Sequence, residues 1–580
     1  MKVKAFLKTK KMVVLLTIIG ILLSAFLLTM SFYNNSFAVA DTLWFRDWQD
    51  DSESLVVGRL IRSSQAGIWA DYGILQRDYD WREENRFVSG NHVEEFQMYP
   101  QQIGLQGMVF GLLNSIISLQ DSDMIQFLYL LNAIMLAIFI LLVALWVKAK
   151  FGLLSAIFIV VGCIFSPWLV VSARNLYWVT WTFLLPFVAI LYLHWLESHR
   201  GRIKSWIFLL AAFLTVFIRV SNGFEFVSAV LITAVLPIIF YAINEKWTFK
   251  QYVRRSLFIG LGGLAAFFVA LGVNLWQRAM LLGGLSESWV HLQRNILLNT
   301  GVTFLEEEAT EGIILAFEGP ILHVINAYLH RGNPLVLDYR MGELFLVLLM
   351  LTLCLFLQKK FAPRIQENQR RFAALAMMTY ASLLAPISWF VLARSHSYAH
   401  RHINYFLWYF PTVILLLALL GAVAAALFKG IWQIETRRQR LKRCAIVAIV
   451  CLLCIWPLLR FYQAWNWTPN TQQLRQVQEQ GLVIHHDDDF EIIHYANALY
   501  YISPRGVDTS ATFFLRAMPV DTEEYPFRRE FDFSVSQVSL PPWSAHHVSR
   551  RYLPDWEIET IITGQFDASG RLWEITVELR

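Results

Sequence analysis

Apolar runs long enough to cross the hydrocarbon core of a bilayer recur along the chain, with polar connections between them. Eleven such runs predict membrane-spanning helices, at 12–31, 124–147, 151–172, 176–196, 205–219, 224–243, 256–275, 341–358, 372–392, 404–428 and 444–461. The first run is longer than the apolar part of a signal peptide, so we expect it to remain as an anchor. The pattern therefore predicts an all-α transmembrane bundle.

The pattern changes after residue 461, where short apolar stretches alternate with turn-forming Pro, Gly and Asp. Strands are predicted at 482–484, 490–495, 499–502, 512–515, 531–535 and 573–577. The chain is thus expected to have two domains: a polytopic membrane domain at 1–461 and a small β-rich domain at 462–580.

Composition supports the membrane assignment. The 580 residues are 56% hydrophobic and only 16% charged, and their mean hydropathy is +0.45. Soluble domains carry about 25% charged residues. These values exclude a disordered chain, a fibrous repeat and an ordinary cytosolic enzyme. The net charge of +5 is modest and its basic residues form no single stripe, so we predict no nucleic-acid partner.

Basic residues gather in the N-terminal segment and in alternate short connections between the predicted spans, which together hold 25 of the 49 Lys and Arg. Such connections face the cytoplasm under the positive-inside rule. The N-terminus is therefore predicted to be cytoplasmic and the C-terminal domain extracytoplasmic, in a multi-pass protein of the cell membrane. The long segments 32–123 and 276–340 are then outer loops, so we expect any chemistry at the outer face.

Ionisable residues are nearly absent from the centres of the predicted spans, whereas an ion-coupled transporter would bury them there. Asp50 and Asp51 stand instead in the first outer loop, at the start of an amphipathic helix predicted from about Ser52. Each fits an N-cap or a general base beside a lipid-borne substrate. Glu53 fits a capping box or a substrate contact, and Gln102 lies in a Gly- and Gln-rich turn where it could also contact substrate.

Basic side chains occupy three predicted outer turns, where they would either remain solvated or snorkel, or bind phosphate. The candidate ligands of a lipid phosphate or sugar are Arg174, Arg219, Arg394, His396, His400 and Arg401. His396 and His400 would share one face of a helical turn, but metal binding there would need carboxylates from elsewhere. No metal site is assigned, and a divalent cation stays open as a cofactor that the sequence does not require.

The chain resembles the polytopic C-type glycosyltransferase superfamily (GT-C fold), near the bacterial protein-mannosyltransferase-like membrane enzymes. The resemblance rests on the Asp50-Asp51 pair after the first span, on interfacial segments around Leu55 and Gly104, and on an outer C-terminal domain behind a many-span bundle. The segments 49–54, 177–181 and 396–398 also look like segments of uncharacterised Gram-positive members.

The resemblance implies an inverting transfer of sugar from a polyprenyl-phosphate donor, with Asp51 or Asp50 as general base. The acceptor would be a cell-wall polymer, teichoic acid, polysaccharide or surface protein. Three other readings stay open: a polysaccharide polymerase or ligase that uses an outer Arg/His pair, a flippase or transporter of lipid-linked sugar, and a scaffold whose β-rich domain recruits cell-wall enzymes.

Overall fold

A computed structural model describes residues 2–40, 45, 48, 50–77, 96–300, 324–325, 335–337, 339–361 and 366–432, and in the C-terminal part 478–486, 491–495, 498–503, 513–519, 533–535, 547–552 and 573–579. The chain divides into two compact units, one formed by residues 1–40 and 47–458 and the other by 41–46 and 459–580.

The described residues of the first unit are mainly helical and include one short hairpin. Its helices are α1 Lys2–Asn34, α2 Asp50–Ala66, α3 Leu105–Ile116, α4 Asp121–Phe151, α5 Leu153–Ile164, α6 Pro167–Ala173, α7 Leu185–Arg200, α8 Ser205–Ser221, α9 Val227–Asn244, α10 Phe249–Leu282, α11 Leu285–Thr300, α12 Met341–Phe361, α13 Gln366–Ser382, α14 Leu384–Leu392, α15 Arg394–Ala399, α16 Arg401–Asn404 and α17 Thr412–Trp432. Single 3₁₀ turns lie at Ala70–Gly73, Thr180–Phe183 and Tyr405–Tyr409. The hairpin pairs β1 (Leu75–Arg77) with β2 (Gln97–Tyr99).

Within the described residues, six helical segments are long and apolar enough to cross a membrane, and a bent pair raises the number to seven. They are 14–34, 121–151, 227–244, 249–282, 369–392 and 405–426, with α5 and α6 as the bent pair. Shorter apolar helices lie at 105–116, 205–221 and 341–353. The chain is therefore a multi-pass membrane protein.

Several predicted spans differ from regular helices. The run at 151–172 bends by 71° between α5 and α6, because Pro167 starts a new helix at its first position. The run at 176–196 begins as a buried loop, and only its second half forms α7. The run at 372–392 is broken between α13 and α14. The predicted span at 444–461 lies outside the described residues, so the total of eleven stays a prediction.

Side chains from the first long loop contact the ends of several helices at one end of the bundle. The Gln106 amide donates to the carbonyl of Tyr177, after α6, and to that of Asn222, after α8. Gln277 near the end of α10 donates to the carbonyl of Ile103. These contacts bring the connections after α6, α8 and α10 to the same end of the unit, as alternating spans require.

The opposite end gathers the other set of connections. Arg255 of α10 forms an ion pair with Glu197 at the end of α7, and the hydroxyl of Ser198 donates to Glu245 after α9. The basic connections predicted to be cytoplasmic at 197–204 and 245–255 therefore share one end, away from the loop contacts of Gln106.

The second unit contains antiparallel strands. One sheet has the order β3-β4-β5-β8 and the other β7-β6-β9. The strands are β3 Leu482–His486, β4 Glu491–Tyr495, β5 Ala498–Ser503, β6 Phe513–Pro519, β7 Phe533–Val535, β8 His547–Tyr552 and β9 Trp573–Leu579. Strands occur at all six predicted positions, and β8 is an additional strand that the apolar pattern did not indicate.

Candidate active site

The first long loop is held in shape by internal polar contacts. Arg59 of α2 donates to the carbonyls of Ile68 and Ala70, and Arg62 forms an ion pair with Asp71 at 2.7 Å. Burial lowers the pKa of Arg59 to about 10. Gly104 precedes α3 with φ +79°, and a Cβ there would lie 2.9 Å from the Gly73 carbonyl oxygen. This turn therefore requires glycine and fixes where the neighbouring side chains lie.

The carboxylate of Glu225, in the connection between α8 and α9, lies at the centre of the site. The Tyr177 hydroxyl donates to Glu225 Oε1 at 3.0 Å, and Arg219 Nη2 donates to the Glu225 carbonyl at 3.4 Å. Glu225 Oε2 is buried and accepts no hydrogen bond within the described part of the chain. Sequence reasoning missed Glu225 as a site residue, and its only signal was its place in an outer hairpin beside Arg219.

The amide of Gln102 faces the same carboxylate across Gly223. A Cβ built on Gly223 would lie 2.5 Å from Glu225 Oε2 and 2.7 Å from Gln102 Oε1. Gln102 is 1% exposed, yet neither polar atom of its amide has a hydrogen-bond partner among the residues described. Buried amides are nearly always hydrogen-bonded, so a polar ligand is the natural partner for this one. We call Gln102, Gly223 and Glu225 the polar cradle.

Asp51 lies within electrostatic reach of this group, on the exposed side. Burial lowers the pKa of His400, and the carboxylates of Asp51 and Glu225 oppose that shift. Burial also raises the pKa of the Tyr99 phenol, as do Glu225 and then Asp51. Both carboxylates are therefore close enough to act electrostatically on the same imidazole and the same phenol.

Aromatic side chains pack around Phe226, the residue that follows Glu225. Phe226 packs against Trp178, Phe183 and Phe406, with ring centroids 5.3 to 6.0 Å apart. The Arg219 guanidinium lies 3.8 Å from the Phe183 ring centroid, a cation–π arrangement. Arg219 is 1% exposed, and its Nε and Nη1 atoms have no hydrogen-bond partner in the described ranges. Two donors are thus left for an oxygen ligand.

The remaining basic candidates divide into two groups. The His396 ring lies 4.8 Å from the His400 ring and 6.0 Å from that of Phe226, measured between centroids, so it packs between His400 and the aromatic cluster. Arg174 instead donates to the Tyr33 carbonyl and stacks 4.6 Å from the Tyr129 ring.

Three other predicted site residues each begin a helix. Arg394 begins α15, and its half-buried side chain has a buried Nε atom. Asp50 begins α2 and Arg401 begins α16, but their side chains lie outside the described residues. Among those that are described, no group of three or more His, Cys, Asp or Glu is arranged to hold a metal ion.

Glu53, predicted to cap the helix or contact substrate, is bound to the fold. It is 8% exposed, its Oε1 accepts from the Leu176 backbone N–H at 2.6 Å, and its Oε2 accepts from the Tyr129 hydroxyl at 3.3 Å. These contacts join α2 to α4 and to the loop after α6. We infer that Glu53 positions the Tyr177 loop.

We expect Glu53→Ala to lower the free energy of unfolding by about 1–3 kcal/mol, because the Leu176 N–H and the Tyr129 hydroxyl would both lose a buried acceptor. Thermal unfolding of the purified protein in detergent measures this. Glu53→Gln keeps one acceptor and should lose less. Unchanged unfolding of the Ala variant would refute the structural role.

The similarity of this chain to known proteins is low. No protein-family model matches the chain, and no curated protein matches its sequence. Among solved structures, the crystal structure of the Archaeoglobus fulgidus oligosaccharyltransferase in complex with Zn and sulfate matches 79% of this chain at 13% identity, with a TM-score of 0.34. The match spans 56% of the length of that protein.

Proposed function

We propose that this protein transfers a sugar from a polyprenyl-phosphate-linked donor to a cell-surface acceptor at the outer face of the membrane, with inversion. Asp51 would be the general base. The proposal combines the sequence resemblance with the chemistry of the site, which stands at one end of an apolar bundle where a lipid-anchored donor has access.

One observation carries the proposal: the exposed carboxylate of Asp51 and the buried carboxylate of Glu225 both act electrostatically on His400 and Tyr99, and the Gln102 amide and Glu225 Oε2 beside them have no hydrogen-bond partner among the described residues. Amide and carboxylate groups suit the hydroxyls of a sugar, since both accept hydrogen bonds and the amide also donates them. His400 and Arg219 stand beside these groups and can face the phosphate of the donor.

The chemistry requires one base. The acceptor hydroxyl oxygen forms a bond to the anomeric carbon, the bond from that carbon to the phosphate oxygen breaks, and the hydroxyl proton passes to the Asp51 carboxylate. Polyprenyl phosphate leaves as a stable anion, so no general acid is needed at the leaving group. Attack from the face opposite the phosphate inverts the anomeric carbon. The developing phosphate charge would be stabilised by the Arg219 guanidinium and by N–H groups of the His396 and His400 rings.

A transfer assay tests the proposal. The full-length protein is reconstituted in vesicles with a panel of radiolabelled undecaprenyl-phosphate hexoses, and cell-envelope material from a deletion strain is supplied as acceptor. We expect label to leave the lipid fraction, appear in the envelope fraction and be matched by released undecaprenyl phosphate.

Two outcomes would contradict this function. Label that stays on the lipid for every hexose of the panel would argue against transfer. Intact labelled donor that moves between leaflets without loss of its sugar would instead support the flippase reading. The Asp51→Asn protein, reconstituted in the same vesicles, is the matched control.

A further inference from the structure

A basic cavity lies at the opposite end of the bundle from the candidate active site. It has a volume of about 460 Å³ and is lined by Arg202, Ile203, Lys204, Ser205, Trp206, Arg254 and Phe258. These residues come from the connection before α8, from the first turn of α8 and from the second and third turns of α10. Three of the seven carry a positive charge and none carries a negative one.

Two helices that run in the same direction form this cavity. Residues 202–206 meet Arg254 and Phe258 at the cavity. Further along, a Cβ on Gly262 would lie 2.4 Å from the Leu209 carbonyl oxygen. Both helices therefore begin at this end, and the N-terminus of α8 adds its positive dipole end to the three side-chain charges.

No acidic side chain of the described residues pairs with the three cations. Arg202, Lys204 and Arg254 are exposed, and none forms an ion pair or an acceptor contact within the described ranges. Glu197, whose carboxylate also accepts from the backbone of the same loop, is already bound by Arg255 at 2.9 Å. Phosphate oxygens are the complementary ligand for such a group.

Glu197 holds the loop that carries Arg202 and Lys204 in place, but it does not pair with either cation. Glu197 Oε1 accepts from the Ile203 backbone N–H at 3.2 Å, between the two loop cations. Arg254 lies over the Phe258 ring, 5.8 Å from its centroid, and both side chains line the cavity. The arrangement of the charges is therefore built by the fold.

Apolar side chains continue from the cavity along both helices. Trp206 and Leu210 of α8 are 56% and 42% exposed, and Leu257 and Leu261 of α10 are 57% and 56% exposed. They follow Lys204 and Arg254 by two to seven residues, toward the middle of the bundle. A ligand that fits both surfaces has a phosphate head and hydrocarbon chains, and Trp is the side chain typical of the boundary between them.

We propose that this cavity binds the phosphate headgroup of an anionic phospholipid, whose acyl chains lie along α8 and α10. The site is separate from the proposed sugar transfer and does not depend on it. A free phosphate has the same head chemistry but gains nothing from the apolar surface, so the two sources of the phosphate group can be distinguished.

Binding of chain-labelled fluorescent phosphatidylglycerol to the full-length protein in uncharged detergent tests the proposal. In the variant Arg202→Gln/Lys204→Gln/Arg254→Gln we expect the dissociation constant to rise roughly fivefold for each cation removed. Chain-labelled phosphatidylcholine should bind the wild-type protein much more weakly, and millimolar inorganic phosphate should leave most of the phosphatidylglycerol bound.

The matched control is Arg200→Gln/Lys246→Gln/Lys250→Gln, which removes the same charge from exposed positions at the same end of the bundle. It should leave the dissociation constant within about twofold. An equal loss in both variants, or equal binding of phosphatidylcholine, overturns the proposal. Complete displacement by inorganic phosphate overturns the lipid assignment. If the triple variant fails to fold, Lys204→Gln alone should still raise the dissociation constant about fivefold.

Discussion

Replacement of Asp51 by asparagine is expected to lower the rate of sugar transfer by about a hundredfold to ten-thousandfold, the usual contribution of general-base catalysis. Asparagine has nearly the same shape but cannot accept the proton of the acceptor hydroxyl. Asp51 is exposed and its carboxylate contacts only the neighbouring Ser52 hydroxyl, at 3.4 Å, among the contacts described for it. We therefore expect the fold to tolerate the change. Single-turnover transfer from the donor identified in the vesicle assay gives the rate.

Asp123→Asn is the matched control for this variant. Asp123 is also an exposed acid in the first turn of a helix, α4, so its loss removes a similar interaction with the helix dipole. We expect its transfer rate to stay near that of the wild-type protein.

Asp50→Asn tests the alternative base in the same assay. The assignment to Asp51 is wrong if the Asp50 variant loses transfer and the Asp51 variant does not. If both variants transfer at the wild-type rate, neither residue is the base.

The grouping of polar residues at one end of the bundle is predictable because the chain alternates across the membrane. Arg219 and Gln102 are far apart in sequence, but each belongs to a connection on the same side of the predicted topology. Hydropathy and the distribution of basic residues suffice for that assignment. The structure agrees in that Gln106 bonds to the carbonyls of Tyr177 and Asn222, which belong to two other connections of that side.

The loop that begins the predicted span at 176–196 shows where hydropathy is insufficient. Leu176, Tyr177 and Trp178 are at most 3% exposed, and Val179 has φ +44°, so this segment is not a helix. Its residues are apolar because protein surrounds them. Burial in protein and burial in lipid select the same residue types, and a single sequence does not distinguish them.

The roles of individual acids could not be read from the sequence either. Glu53 follows the Asp50-Asp51 pair and Glu225 lies in the hairpin after Arg219, and from the sequence either could be solvated, structural or part of a site. Their roles follow from partners distant in sequence: Leu176 and Tyr129 bind Glu53, whereas Gln102 faces Glu225 across Gly223. Strand β8 was missed for a related reason, since His547–Tyr552 lacks apolar alternation and is a strand through its pairing with β5.

Gly223→Ala is expected to lower kcat/KM for the lipid-linked donor by about a hundredfold, the loss that displacement of binding groups by about 1 Å can cause. The new methyl group would occupy the space between Glu225 Oε2 and Gln102 Oε1, at 2.5 and 2.7 Å. Both side chains would have to move, and the cradle would no longer present its acceptors to sugar hydroxyls. Steady-state kinetics over a range of donor concentrations measure the loss.

A matched control and a second variant separate the cradle from general damage. Gly272→Ala adds a methyl group to α10 that has no atom within 4 Å beyond its own helical backbone and chain neighbours, so its kcat/KM should be unchanged. Glu225→Gln removes the charge without adding bulk, and losing a hydrogen bond to a charged group should lower kcat/KM by roughly tenfold to a hundredfold. Wild-type kinetics in both Gly223→Ala and Glu225→Gln would show that the sugar does not bind at the cradle, even if Asp51 proves essential. The base and the cradle are thus tested independently. Asp51→Asn removes a proton acceptor, whereas Gly223→Ala and Glu225→Gln alter the proposed sugar-binding site.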